Sequence, residues 1–292
     1  MLQGVSVTTT SPLSRRPPAP ESRPDLLEAI VGAARHSVAA AKRRRPLAAV
    51  ERDAATRSPR GDAFRAALQS AHRVPVIAEC KRRSPSRGIL RDDYRPEAVA
   101  RAYESAGAAA ISVLTEPAFF DGGLDHLEAV REAVTVPLLR KDFIVSEYQL
   151  AEARAAGADA ALLIVAALDD ADLCRLLASA TALELAALVE VHNTTELSRA
   201  IAAGARIVGV NNRNLRTLDV DINASFSLVA GIGQDVVAVA ESGIRTAADI
   251  TALRQSGYDG FLVGEPLITQ PDPGAALDAL LRGTAATPRG SR

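Results

Sequence analysis

An α/β fold of eight strand–helix units closed into a parallel barrel, preceded by a helical extension, is what the amino-acid sequence predicts. Three observations point to it. After His72 the chain repeats one theme eight times: a short apolar, β-branched run, a loop, then an Ala-rich amphipathic helix. The ends of these runs recur about every 21 to 35 residues, the length of one strand plus one crossover helix. Gly107-Ala108, Gly157-Ala158 and Gly204-Ala205, with Gly257 before the last run, stand where each helix hands over to the next strand, and glycine there supplies a left-handed cap. Eight such units read as a (β/α)8 TIM barrel, for which ~250 residues is usual. A doubly wound open sheet is the competing arrangement, but no GxGxxG follows the first run.

The elements follow in order. Residues 1–23 are rich in Ser, Thr, Pro and Arg, and Arg15-Arg16 leads into prolines rather than the apolar stretch of an export signal, so a disordered tail is expected. Residues 24–72 are expected to form a helical extension. Its first helix carries Leu26, Leu27, Ile30, Val31 and Ala34 on one face and stops at Pro46. The basic run Lys42 to Arg45 falls in that helix's last turn, where cations complement the dipole, and reads as a solvated helix end rather than a nucleic-acid contact. A weaker helix covers 61–71. The barrel spans 74–283, with strands at 76–81, 109–116, 137–143, 160–167, 187–192, 207–213, 236–242 and 260–265, and a short extra helix at 266–270. Residues 284–292 are expected to be a disordered C-terminal tail.

Composition narrows the function. Across 292 residues, 34 Lys and Arg and 35 Asp and Glu leave a formal charge of -1, so nothing draws the whole chain to nucleic acid or to an anionic membrane. The longest apolar run, 160–168, falls well short of the ~20 residues a membrane helix needs. Two cysteines, Cys80 and Cys174, exclude a disulfide scaffold and fit a reducing, cytoplasmic setting. Four His without HExxH or CxxC leave no metal motif.

Barrel enzymes build their sites at the C-terminal ends of the strands. There the sequence is charged. Alternation places Glu79 and Lys81 on one side of the first strand and Cys80 on the other. Lys141, Glu190, Asn211, Arg213 and Glu241 end four further strands. A single buried carboxylate is commonly an ion-pair partner without chemistry. So many ionisable groups in one mouth cost more than a fold requires, and opposed Lys and Glu there serve as general acid and base. Ser242-Gly243 and Gly264-Glu265 place backbone N–H groups where barrels commonly bind phosphate. The loop Ser84 to Gly88 is a further candidate for ligand contact, or else a surface turn.

These residues carry a resemblance over about 24–283. IAECKRRSPSRG (77–88), LLRKDF (138–143), LVEVH (188–192), GVNNRNL (209–215) with VAESGI (239–244), and GFLVGEPL (260–267) resemble, in order, the signatures of indole-3-glycerol-phosphate synthases. The resemblance implies cofactor-free ring closure of 1-(2-carboxyphenylamino)-1-deoxyribulose 5-phosphate, a carboxy-lyase reaction of tryptophan biosynthesis that gives indole-3-glycerol phosphate, carbon dioxide and water. It implies Lys141 as general acid and Glu190 in the proton transfers of dehydration. Lys81 would sit against the anthranilate carboxylate and share acid work, with Glu79, Asn211 and Glu241 orienting the set and Arg213 adding positive charge. Ser84, Phe120, Phe143, Leu162, Leu215 and Leu262 would line the pocket. Phosphate would fall to Ser242, Gly243, Gly264 and Glu265, the carboxylate of Glu265 pointing away so that its amide donates. The resemblance also implies that the helical extension packs over the mouth, and makes other tryptophan-pathway enzymes the protein partners to look for. Asn193 departs from the pattern, where an acidic residue is common, and no second barrel follows, so the unfused form is expected.

Three other readings stand beside this one. A catalytically silent barrel that binds a sugar phosphate as a partner protein would have no need of both Lys141 and Glu190. An Amadori-type isomerase depends on a Cys and Asp pair, and Cys80 is expected on the helix-facing side. A Schiff-base aldolase using Lys141 would be trapped by borohydride.

Overall fold

The computed structural model describes residues 1, 4, 25–58, 60–69, 73–284 and 288–292, so the tail expected at 1–23 lies almost wholly outside the described residues. Eight strands form the barrel: β1 (Val76–Cys80), β2 (Ala110–Leu114), β3 (Leu138–Lys141), β4 (Ala160–Ile164), β5 (Ala186–Val191), β6 (Ile207–Asn211), β7 (Val237–Glu241) and β8 (Gly260–Val263). Each pairs in parallel with its neighbours in sequence, and β8 closes on β1 through Val76 opposite Phe261. The fold is a (β/α)8 TIM barrel. Strands end sooner than the sequence reading placed them, because the polar residues that follow turn out of the ladder. After β7, for example, Ser242 and Gly243 both adopt positive φ, at 63° and 76°.

Alternation divides the apolar residues into two layers. Ile77, Ala110, Leu139, Ala160, Leu162, Leu188, Ile207, Val239 and Leu262 fill the barrel interior. Val76, Ala78, Cys80, Ile111, Val113, Val189 and Val208 face outward into the shell of helices. Gly107, Gly157, Gly204 and Gly257, at the helix-to-strand joints, all have left-handed φ, as the cap argument requires.

The N-terminal extension is not confined to the mouth, as had been expected of it. Helix α1 (Leu26–Arg44), capped by the Asp25 side chain, lays Leu27, Ile30 and Val31 against Phe143, Leu162 and Ile164 above the barrel. Helix α2 (Leu47–Ala55) then runs down the outside against Glu147–Ala155. Helix α3 (Gly61–Leu68) ends under the barrel, where Phe64 and Leu68 join Ile77, Ala110, Ile207 and Val237. The physical reason is burial. The N-terminal opening of the barrel is apolar, and the buried face of α3, Phe64 and Leu68, covers it. Within the extension expected over 24–72, the sequence reading ends the first helix at Pro46 and places no helix over 47–55, so α2 is an addition. Pro46 both ends α1 and, in extended conformation, caps α2, since a proline opens a helix as readily as it stops one.

The run Lys42 to Arg44 does sit in the last turn of α1. The segment after β1 folds into a small hairpin, Arg83–Ser84 against Gly88–Ile89, rather than an open turn. At the other terminus, where composition suggested a tail, residues 288–292 make contacts. Arg289 and Arg292 both pair with Asp259, and Gly290 N–H donates to the Arg254 carbonyl at 2.9 Å.

Candidate active site

The C-terminal mouth of the barrel holds one lysine among three carboxylates. Lys141 Nζ lies 3.5 Å from Glu241 Oε2, 3.8 Å from Glu190 Oε2 and 3.9 Å from Glu79 Oε2. Glu79, Glu190 and Glu241 are all buried. Room for two of them comes from missing side chains. A Cβ on Gly209 would collide with the Glu241 carboxylate, and one on Gly264 with that of Glu79. Lys81 pairs closely with Glu79 across the turn of one strand end. Among the described residues, no hydrogen-bond partner meets either carboxylate oxygen of Glu190 or of Glu241. Buried polar atoms are normally satisfied, so acceptors left open in this way mark a site shaped for a ligand.

The charges act on one another. Burial alone would lower Lys141, but Glu241, Glu190 and Glu79 outweigh it and raise its pKa, keeping the ammonium protonated. Burial, reinforced by the charge of Glu190, pushes Glu241 up to about 8 against the pull of Lys141. Glu79 goes the other way. Burial raises it, yet Lys81 and Lys141 together hold it below its ordinary value. One mouth thus contains a proton donor, an ionised carboxylate and a carboxylate that retains its proton near neutral pH, the spread that acid–base chemistry uses.

Around this layer the walls change character. Phe120, Phe143, Leu162, Leu215 and Leu262 line the same cavity, together with Asn211 and Arg213. The rings of Phe120 and Phe143 lie 6.2 Å apart. Both are fixed from below: Glu116 accepts from the backbone N–H of Phe120, and Asp142 from that of Phe143. Asp142 is itself tied to Arg140 and Thr115. Ser84 lies one step outward, under α1, where Leu26 and Ile30 roof the opening.

On the far side Ser242, Gly243, Gly264 and Glu265 meet at one edge of the cavity, with Glu265 opening a short helix, Glu265–Ile268. The Glu265 carboxylate accepts from Arg87 Nη1 at 2.7 Å. Asn212 pins the edge by donating to the Ser242 carbonyl at 3.0 Å while accepting from Ser225. All the site residues picked from the sequence therefore gather at this mouth, with Ser84 at its outer lip and Glu241 at its floor. Sequence reasoning passed over Gly209 and Asn212. A glycine within a strand carries no mark of its role in the sequence, and the packing of Gly209 against Glu241 shows its purpose.

The model of the family "Indole-3-glycerol phosphate synthase" matches residues 27–280. This chain belongs to that family. It is 49% identical to the indole-3-glycerol phosphate synthase of Laribacter hongkongensis over 257 residues, covering 87% of this chain and 97% of the relative. With the synthase of Rhodococcus opacus it shares 47% over 260 residues, 89% of this chain and 96% of that protein. Among solved structures, the thiamine phosphate pyrophosphorylase of Pyrococcus furiosus aligns at a TM-score of 0.55 and 18% identity, covering 73% of this chain and 96% of its own, and shares the fold.

Within an indole-3-glycerol phosphate synthase, Cys80 is no substitute for the isomerase cysteine. It is buried on the helix side, and burial raises its thiol far above the thiolate range. Asn193 serves as the cap of Thr194–Ala202, accepting from Glu196 N–H at 2.9 Å. The pocket-making glycine yields a direct test. Gly209→Ala is expected to displace the Glu241 carboxylate and cut kcat by about 10²-fold, the cost of a misplaced group, with the fold retained by circular dichroism. Unchanged kcat would show that Glu241 moves aside without consequence.

Proposed function

We propose that this mouth closes the indole ring of 1-(2-carboxyphenylamino)-1-deoxyribulose 5-phosphate, releasing carbon dioxide and water to give indole-3-glycerol phosphate. The activity is that of a carboxy-lyase of tryptophan biosynthesis. The observation that carries the reading is Lys141 held protonated among three buried carboxylates, two of which, Glu190 and Glu241, accept no hydrogen bond among the described residues. Lys141 donates its proton to the substrate carbonyl as the ring carbon attacks. Loss of carbon dioxide then restores the aromatic ring. In the dehydration, Glu190 takes a proton from carbon while a lysine, which we assign as Lys81, protonates the departing hydroxyl. Glu79, Asn211 and Glu241 orient these groups, and Arg213 faces the anthranilate carboxylate.

Phe120, Phe143, Leu162, Leu215 and Leu262 hold the aromatic ring dry and close to the carbonyl. Ser84 bounds the outer lip. Phosphate binds at Ser242, Gly243, Gly264 and Glu265 through backbone N–H groups, which the Arg87 pairing supports by engaging the one carboxylate there. The donors and acceptors are side chains, so the reading calls on no cofactor. We place the activity in the cytoplasm. Both cysteines are free, and among the described residues no helix is long and apolar enough to cross a membrane. Nothing favours a silent binding barrel, since Lys141 and Glu190 are both in place.

The test is direct. The chain has no Trp, so indole fluorescence appearing when the purified protein meets the carboxyphenylamino-deoxyribulose phosphate reports turnover without background. Its appearance is expected in buffer containing chelator. Tight binding of that substrate with no fluorescent product would overturn the reading.

A further inference from the structure

Beside the catalytic layer, His192 joins two acidic side chains that the proposed chemistry does not connect. Its Nδ1 lies 3.0 Å from Glu196 Oε2, and its Nε2 lies 3.5 Å from Glu190 Oε1. Glu196 is firmly held. Its Oε2 also accepts from the His192 backbone N–H at 2.8 Å, and its Oε1 from Asn193 Nδ2 at 2.7 Å. A carboxylate engaged in this way only accepts, so Nδ1 carries a hydrogen.

The other ring nitrogen is then decisive. His192 Nε2 and Glu190 Oε1 are both buried, and neither has a hydrogen-bond partner among the described residues. A neutral ring with its hydrogen on Nδ1 would turn a lone pair toward the carboxylate. Two acceptors facing each other in a buried space carry the full penalty of unmet polar groups. One proton between them removes the conflict.

We infer that His192 is a positioning residue: anchored by Glu196 through Nδ1, it carries a second proton on Nε2 against Glu190 and holds that carboxylate aimed into the mouth. The inference rests on the role assigned to Glu190 above. The ionisable groups facing the ring are Glu190 from β5, Glu196 from the helix that follows, and Glu241 from β7. All are acidic, and together they outweigh burial and raise the imidazole above its ordinary value. Asn193 belongs to the same device. Its amide donates to Glu196, which an acidic side chain at that position would not do. No proton leaves His192 during turnover. Glu190 takes up the substrate proton on Oε2, the oxygen 3.8 Å from Lys141 Nζ, while Oε1 stays on Nε2.

The experiment uses the full-length protein, whose four histidines make nitrogen spectra of the rings tractable. Both ring nitrogens of His192 are expected to be protonated at about pH 7.5. Glu196→Gln keeps the side chain's shape and is expected to lower the titration of His192. The alkaline limb of the kcat profile should move down with it. His192→Asn is expected to reduce kcat by about 10-fold to 10²-fold with KM changed less, as for a misplaced catalytic group. A His192 ring neutral at about pH 7.5, or a Glu196→Gln protein whose ring titrates unchanged, would overturn the inference. A charged ring in a protein that never turns over the phosphorylated substrate would overturn the assigned reaction and uphold the pairing.

Discussion

Lys141→Ala is expected to lower turnover by about 10²–10⁴-fold, the worth of a positioned general acid. The argument is geometric before it is electrostatic. The ammonium stands within 3.9 Å of three carboxylates, at the one point in the mouth where they converge. Their charges hold its proton, so it is delivered only when a developing alkoxide competes for it. Removing the cation leaves Glu79 its pairing with Lys81, and Glu241, already raised to about 8, holds its proton more firmly without that neighbour. The variant should therefore fold, and circular dichroism together with thermal melting would check this. Single-turnover measurement of the fluorescent product reads the chemical step without product release. Near-normal turnover in a folded Lys141→Ala protein would remove Lys141 from its role.

Glu190→Gln is expected to cost a similar factor, ~10²–10⁴-fold in kcat, because the amide preserves shape and abolishes the base. It should leave a second signature in stability. Burial and the Glu190 charge push Glu241 up to about 8, from an ordinary value of 4.5. A raised carboxyl binds its proton more tightly in the folded state than in the unfolded one. Its contribution to stability is complete below the unfolded value and is lost as pH rises through about 8. Removing the Glu190 charge relieves part of that shift, so the decline between these limits should be shallower in Glu190→Gln. Urea unfolding at a series of pH values makes the comparison. An unaltered decline would mean that Glu190 does not bear on Glu241.

The barrel was legible because its signal is periodic: eight apolar runs, four of them preceded by a glycine joint, repeat at the spacing of strand plus helix, and the missing GxGxxG set the open sheet aside. The catalytic layer was legible for a related reason. Glu79 and Lys81 alternate with Cys80 on a strand, and alternation puts the charged pair together on one side. What stayed hidden depends on contacts distant in sequence. The path of the extension is one case. That α3 closes the bottom of the barrel follows from Phe64 and Leu68 meeting Ile77 and Ile207, and no local pattern encodes that meeting. Gly209 is another, since its meaning lies in the Glu241 carboxylate on the neighbouring strand. Pro46 misled because the same residue both stops and starts a helix.

The two interior glycines bear on how such a protein can be improved. Barrels of this kind ordinarily fill their interior with layers of branched apolar side chains. Here the layer nearest the mouth consists of carboxylates and a lysine, occupying space that Gly209 and Gly264 leave open. Buried ion clusters of this sort are often less favourable than apolar residues of equal volume. The layer is therefore carried by the apolar interior beneath it, at some cost in stability. A search for thermostable variants that is blind to turnover would favour Glu241→Leu or Glu241→Met and would select dead enzymes first. Gains in stability that keep the activity are to be found elsewhere, on the helical shell and in the strap that runs from mouth to base.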